Sequence, residues 1–513
     1  MTTHNTSTAY TTSTTQTPSF PFHRHALALA LMLAISASQA ATIQVGGACT
    51  LINAIENANT DIDTDGVNTG CPAGSGADSI NLGASATYTL TAINNTTDGD
   101  NGLPSISSVV TVNGNNATIK RAGNSPDFRL LHIAPEGALT VNKLKLTGGN
   151  ASVSDYSNYD KTGGAILNRG VLTLNDSILT GNSAANNGGG IGNFYGSATV
   201  TNSSIANNRS ANGGGILNKD GRLTLTGSTV SGNSSPLSNS IVNAGGGSYD
   251  CSGFIVLNNS TISGNIGGGI RNQDVNTPFY SYRDEDIYYH QQCQLSIGNS
   301  TIAGNKGGGV DNRGIMLLKN NLIANNTSDC NNSAALNLSG LNLIKNGACN
   351  APLRGYPKIG PLLDNGGLTL THAVLAGSPV IDKAPKSTCP LTDQRNIKRD
   401  LLKAGACDLG AFERMTAIPA AVTGLVRFFD AQVSIDAIVG VTPAKREAMR
   451  RQLLTAGGYK DRKLGVQACR QLAGSLDRID PDQAPDTHDY VTGAMADELK
   501  QHITDLRTGW LCK

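Results

Sequence analysis

Three groups of residues in this chain have the types and spacing to do chemistry. The first is acidic. Asp61-Ile62-Asp63-Thr64-Asp65-Gly66 matches the first half of a calcium loop of the D-x-D-x-D-G kind, which sets alternate carboxylates around a hard cation. The glutamate such a loop needs six residues beyond its glycine is absent, because position 72 is proline. Asp61, Asp63 and Asp65 are therefore a candidate calcium site, with an ordinary polar turn as the competing reading. No other cofactor is suggested. A second acidic turn, Asp98-Gly99-Asp100, lies nearby.

The second group is Asp382, Asp393, Arg395, Asp408 and Glu413, which together could look like an active-site constellation. Their mixed signs and their place near the end of the repeats are read instead as ion pairs closing the last turn of the structure. The third group is aromatic. Residues 273–292 carry Phe279, Tyr280, Tyr282, Tyr288 and Tyr289, together with Asp284, Glu285 and Asp286, in a chain only 4% aromatic. Phe194-Tyr195 and Tyr249 fall on the same edge in other repeats. A tyrosine offers a flat face and a hydroxyl, which suits stacking on sugars or on a protein surface. These eight aromatics are the expected ligand-binding set, with loop packing as the alternative. The histidines are scattered, without metal-ligand spacing.

The elements that hold these groups repeat. LTLNDSILTGN (172–182), ATVTNSSIANN (198–208), LTLTGSTVSGN (223–233), IVLNNSTISGN (255–265), LSIGNSTIAGN (295–305) and MLLKNNLIANN (316–326) are one unit. A second unit lies between them, GGAILN from Gly163, GGGIGN from Gly188, GGGILN from Gly213, GGGIRN from Gly267 and GGGVDN from Gly307. The uninterrupted period is about 25 residues, within the range of solenoids. Alternation such as Leu172, Leu174 against Thr173, Asn175 predicts half-buried strands, too short and too closely spaced for intervening helices. The expected fold is all-β, a right-handed parallel β-helix whose coils stack at about 4.8 Å. Asn182, Asn208, Asn233, Asn265, Asn305 and Asn326, and likewise Asn168, Asn193, Asn218, Asn272 and Asn312, are expected at corners, in left-handed conformation and hydrogen-bonded in ladders.

Hydrolysis of a glycan needs two carboxylates roughly 5–10 Å apart, and a lyase wants clustered acids plus a base. The outward strand positions carry Thr, Asn, Ser, Gly and Lys, with Asp176 an isolated acid, so no complete active site is legible. The net charge of +1 gives no reason to expect a nucleic-acid partner. Charged residues are only 15% and glycines number 60 of 513, yet 39% of residues are hydrophobic and recur regularly, so a core is available.

Residues 1–40 read as a signal peptide. The apolar run 26–35 is too short to span a bilayer, and the small residues Ser38 and Ala40 predict cleavage after Ala40. No later stretch is apolar enough to cross a membrane. The chain is expected to be secreted, periplasmic or on the outer surface. Its cysteines, Cys49, Cys71, Cys251, Cys293, Cys330, Cys349, Cys389, Cys407, Cys469 and Cys512, follow the cleavage site and include no CxxC pair, which favours disulfides over zinc. Sequence leaves their connectivity open, though the wide gaps favour pairing of neighbours.

The opening CTLINAIENAN (49–59), with Thr50 as N-cap and Leu51, Ile52, Ile55 and Ala58 as an apolar stripe, resembles the N-terminal cap of bacterial exported parallel β-helix proteins. CPAGSGADSINL from Cys71, NGLPSIS from Asn101 and NNATIKRAG from Asn115 fit the same pattern. GSPVID (377–382), DQRNIKR (393–399) and CDLGAFE (407–413) are similar to the choice-of-anchor Q domain, which closes such helices. The resemblance implies a β-helix over 41–414, with its cap at 42–80 and its closing segment at 360–414. It implies a compartment rather than a reaction. Residues 415–513 change character, with helices predicted at 443–456, 462–479 and 491–511, and loosely resemble the FIMAH module. The functional expectation is an adhesin-like binding protein with a glycan or matrix ligand; the alternative is a polysaccharide lyase or hydrolase of the pectate-lyase-like superfamily.

Overall fold

The alternation seen in each repeat becomes a strand with one dry face. In Val171–Asn175, Leu172 and Leu174 are fully buried while Val171 is exposed. Leu174, Val200, Leu225, Leu257, Ile297 and Leu318 stack in register, one per coil, each 0% exposed. Each such side chain contributes roughly 1.5–3 kcal/mol by leaving water, and none could do so without the coil above and below. The structure, a computed structural model, describes residues 40–63, 70–152, 159–245, 251–273, 292–375, 377–399, 406–414, 422–433, 439–440, 442–461, 465–479, 490–492, 495–509 and 512.

The coils form a parallel β-helix with three sheet faces. The first face runs from Thr42–Gln44 to Leu336–Ser339, and the second from Thr87–Leu90 to Leu343–Ile344. Two long strands, Val109–Arg121 and Ala138–Thr147, bend through both. The third face runs from Leu131–Ile133 to Cys330–Asn332. The cap helix α1 (Leu51–Thr60) covers the first coil; Thr50 Oγ1 accepts the Asn53 N–H at 3.1 Å, and Leu51, Ala54, Ile55 and Ala58 are buried.

The asparagine ladders are present, but they are not the left-handed corners that the sequence suggests. Asn208 Nδ2 donates to Asn233 Oδ1 at 3.1 Å, Asn233 to Asn265 at 3.1 Å and Asn265 to Asn305 at 2.8 Å, all buried. A second ladder links Asn168, Asn193, Asn218, Asn243, Asn272 and Asn312 at 2.6–2.9 Å. Positive φ falls one residue earlier in the first ladder, at Gly181, Asn207, Gly232, Gly264, Gly304 and Asn325. The reason is directional: the preceding residue takes the turn, which aims the next side chain inward to bond along the axis. Asp176, the isolated acid, is itself a left-handed corner residue (φ 50°).

After the last coil the chain doubles back along the second face. A hairpin of Ile359–Leu363 with Thr371–Val374 and the segments 391–399 and 406–414 lie over Thr229, Thr261 and Thr301. Gln394 sits between them: its Nε2 donates to Thr229 Oγ1 at 2.8 Å and its Oε1 accepts from Thr261 Oγ1 at 2.6 Å. This strap buries a row of hydroxyls that would otherwise face water.

Beyond it stand helices α2 (Val422–Val433), α3 (Pro443–Asp461), α4 (Gly465–Leu476) and α5 (Ala496–Gly509), which share an apolar core including Leu425, Phe429, Met449, Leu453, Leu472, Leu499 and Ile503. Helix α3 runs through Gly457-Gly458, although the helix expected at 443–456 takes this glycine pair as its C-terminal stop. Burial of Met449, Leu453 and Ala456 outweighs the roughly 1 kcal/mol each glycine costs. The helices lean on the strap, for Arg414 is buried with Nε 3.3 Å from Glu498 on α5.

All ten cysteines are paired with their sequence neighbours, Cys49–Cys71, Cys251–Cys293, Cys330–Cys349, Cys389–Cys407 and Cys469–Cys512. Five disulfides place the chain in an oxidising environment. Among the described residues no helix is long and apolar enough to cross a membrane.

Candidate ligand-binding groove

The coils return from the third face to the first along one edge, three of them in succession through tight turns after Asn168, Phe194 and Lys219, and the residues at this edge stack. Pro135, Arg169-Gly170, Tyr195-Gly196, Asp220-Gly221 and Ser252 lie one above another, flanked by the first residues of the following strands, Val171, Ser197, Arg222 and Phe254. Together they line a groove of about 540 Å³ running along the helix axis. Glycine follows the turn residue because a Cβ at 221 would meet Gly196 O at 2.7 Å and one at 196 would meet Gly170 O at 2.7 Å. Tyr195 and Asp220 are left-handed (φ 59° and 49°), which turns their side chains outward.

The groove is built from cations set over rings. The Arg222 guanidinium lies 4.8 Å from the Phe254 centroid, and that of Arg169 lies 4.5 Å from Tyr159. Tyr195 is 58% exposed, so its ring is free to stack on a ligand. Asp220 Oδ1 accepts the Ser252 N–H at 3.0 Å, which fixes its carboxylate in the groove. An exposed ring beside guanidinium and carboxylate groups can grip an apolar sugar face and its hydroxyls together.

A buried cluster steadies one wall. Arg169 Nη1 donates to Asp98 Oδ2 at 2.7 Å, and the same oxygen is 3.2 Å from His132 Nε2. His132 Nδ1 lies 2.8 Å from Ser105 Oγ. Burial, reinforced by the Arg129 cation, pushes the His132 pKa down to about 4, so the ring is neutral. Arg129 is itself fully enclosed, and burial lowers its pKa to about 10 against the pull of Asp98, Asp160 and Asp100. Its Nη2 donates to Tyr159 O at 2.8 Å. This serine–histidine–aspartate order resembles a nucleophile relay, but Ser105 Oγ also bonds Asn95 Oδ1 at 3.2 Å and the imidazole is buried. The contacts clip residues 95–105 over the outer side of the coil and hold Arg169 in place.

The expected site residues fare differently. Tyr195 lines the groove. Phe194 does not present a face: it is 1% exposed, packed on Leu167, Leu217 and Val242 with Tyr159 edge-on at 5.5 Å. Its neighbour takes the left-handed turn, so consecutive rings point to opposite sides of the backbone. Tyr249, Phe279, Tyr280, Tyr282, Tyr288 and Tyr289 lie outside the described residues. Asp61 is the C-cap of α1 (φ 56°), and its Oδ1 accepts the Gly76 N–H at 3.0 Å. Asp63 follows it in a loop, and Asp65 lies outside the described residues. Arg169, Asp220, Arg222 and Phe254 were not singled out from sequence, although aligning the repeats puts all four beside Tyr195.

A second acidic cluster closes the strap. Carboxylate oxygens of Asp382, Asp408 and Glu413 fall within 4.8 Å of one another, a grouping that could hold a cation. Arg399 already supplies one, with Nη1 2.9 Å from Glu413 Oε2. Burial and the neighbouring Asp408 outweigh that guanidinium and push the Glu413 pKa up to about 8, while burial raises that of Asp408 to about 6. Asp393 Oδ2 accepts from both Nη2 and Nε of Arg395, at 2.6 and 2.8 Å.

Stacked parallel coils, with disulfides at the cap and along the coils, define a braced parallel β-helix. In structure the chain is similar to pectate lyase Pel9A, at 17% identity over 68% of this chain and 93% of that one, with a TM-score of 0.39. No protein-family model matches the chain, and comparison with curated proteins finds no match.

Proposed function

We propose that this is an exported binding protein whose turn-edge groove holds an extended glycan. The observation that carries the reading is Tyr195, an exposed ring in a groove that also presents Arg169, Asp220 and Arg222. Turns stacked about 4.8 Å apart make that groove linear, so successive sugars of one chain meet successive coils. In sequence the aromatic-rich segment 273–292 falls between the third-face strand ending at Asn272 and the first-face strand starting at Gln294, and Cys293, the residue after it, is bridged to Cys251. The closing segment 360–414, similar in its motifs to choice-of-anchor Q ends, supports a surface-associated role, with 415–513 as a helical unit docked beside it.

The test is a glycan array with a parallel depolymerisation assay on residues 41–513, with and without calcium. Binding of a linear glycan is expected. Tyr195→Ala should weaken it about tenfold, the effect of one stacking aromatic at a contact, while leaving the fold intact. Unchanged affinity in the folded variant would remove the groove from consideration. Release of new chain ends would move the protein to the degrading enzymes instead.

A further inference from the structure

Asp78 begins the strand Asp78–Asn81 and is fully buried. Its Oδ1 accepts two backbone N–H groups, from Ala41 and Ser75, each at 2.9 Å. Its Oδ2 is buried with no hydrogen-bond partner. None of the ion pairs among the described residues includes it. The cradle is close-fitting: a Cβ at Gly74 would stand 2.6 Å from Oδ2 and 2.4 Å from Asn57 O. A carboxylate so enclosed is costly unless positive charge answers it.

The Ala41 nitrogen that touches this carboxylate is also the atom that signal-peptide removal would change. Ala40, on the other side of the bond, is exposed. Ala41 is fixed by the sheet, since Ser79 N donates to Ala41 O at 2.9 Å and Thr42 pairs with Ser79. We propose that Asp78 is a built receptor for the α-ammonium group that processing creates at Ala41. The proposal rests on the expectation of cleavage after Ala40. That step is a hydrolysis by a signal peptidase. Water adds to the Ala40 carbonyl carbon and the Ala40–Ala41 amide bond breaks. Ala40 leaves as a carboxylate, and the Ala41 nitrogen takes up the protons to become an ammonium. An amide with one N–H, already spent on Oδ1, is replaced by a cation with three. The charge appears at an atom 2.9 Å from the carboxylate.

The consequence is a cap that tightens on maturation. In the precursor the first coil is stacked around an unanswered buried carboxylate. After cleavage the same coil is held by a buried ion pair. The tightness of the N-terminal end is thereby coupled to loss of the export signal.

The experiment uses the exported, mature protein. Intact mass first gives the N-terminus, expected at Ala41. An amine-reactive acylating reagent near neutral pH, where lysines stay protonated, then reports the α-amine by peptide mapping. Acylation of Ala41 should be at least about tenfold slower in the folded protein than in the denatured one, and Asp78→Asn should abolish that protection. Because Asp78→Asn could fail to fold, a second variant inserts one serine between Ala40 and Ala41, which moves the amine outward and leaves Asp78 intact. It should lose about 3–5 °C in melting temperature. An α-amine at Ala41 that labels equally fast folded and denatured, or an insertion with unchanged melting, overturns the docking while the processing site stands. A mature N-terminus elsewhere overturns the processing expectation, and the proposal with it.

Discussion

Asn233, in the middle of the solenoid, and Glu413, at its C-terminal closure, are both buried polar side chains, at 0% and 1% exposure. Asn233 is neutral, and every contact it makes has a copy in the next coil: its Nδ2 donates to Ile205 O and Asn265 Oδ1, and its Oδ1 accepts from Asn208 N and Nδ2. Glu413 is ionisable, and its partners Arg399, Asp408 and Asp382 occur once. A repeating column can be satisfied by one amide per coil, because each amide both donates and accepts. An end has no next coil, so the closure satisfies itself with charges drawn from 382 to 413. Neutral ladders make length cheap to extend. Charged closures specify where the helix stops.

The sharpest way to break this contrast is to interrupt the column. Asn233→Ala leaves the Asn208 N–H and Nδ2, the Ile205 carbonyl and Asn265 short of partners in a dry interior. The expected cost is about 3 kcal/mol, the sum of a few orphaned buried groups. Urea unfolding followed by circular dichroism checks it. A loss below about 1 kcal/mol would mean that water enters the gap and that the ladder is not the coils' main polar support.

The ladders also mark how far the sequence could be read. Period, strand alternation and the asparagine ladders were legible because every coil restates them, although the left-handed corner falls on the residue before the first ladder's asparagines rather than on them. The cap helix was legible from Thr50 and its stripe. What escaped is non-periodic. The strap is positioned by Gln394 reaching Thr229 and Thr261, contacts spanning more than a hundred residues with no local signature. Helix α2 was missed, and the glycine stop in α3 failed, because tertiary burial decided both. At the groove, Tyr195 was found by its ring, while Arg169, Asp220 and Arg222 look like ordinary turn and strand-start residues until their coils are stacked. Phe194 was misplaced because one left-handed residue reverses which side of the turn a ring takes.

The closure should respond to pH where the ladder does not. The folded-state pKa values of Glu413 and Asp408, about 8 and about 6, lie above those of an unfolded chain. The folded closure therefore keeps protons that the unfolded chain releases. That contribution is whole below the unfolded carboxylate range and is lost as pH rises through about 8. For Glu413 the loss between pH 7 and pH 9 is on the order of 1 kcal/mol. Denaturation midpoints measured across that window should fall, and Glu413→Gln should flatten the fall. A flat profile in the unmodified protein would mean that Arg399 keeps Glu413 ionised, and the closure would then be a plain ion pair.

The smallest effect tests whether burial, rather than the asparagine repeat itself, gives the ladder its weight. A third column, Asn81, Asn113, Asn142 and Asn175, stands on the outside of the first face, linked at 2.9–3.0 Å with the same coil-to-coil spacing. Its members are half-exposed, and Asn142 makes one side-chain bond to each neighbour. Water can replace either partner there, so no group is stranded when one is removed. Asn142→Ala should cost only about 0.5 kcal/mol, the net worth of an exposed hydrogen bond. The ratio of the Asn233 and Asn142 losses, measured in one denaturant series, is then the quantity of interest. Equal losses would show that the columns act through backbone geometry at the corners, since the two sites share residue type and spacing and differ mainly in access to water.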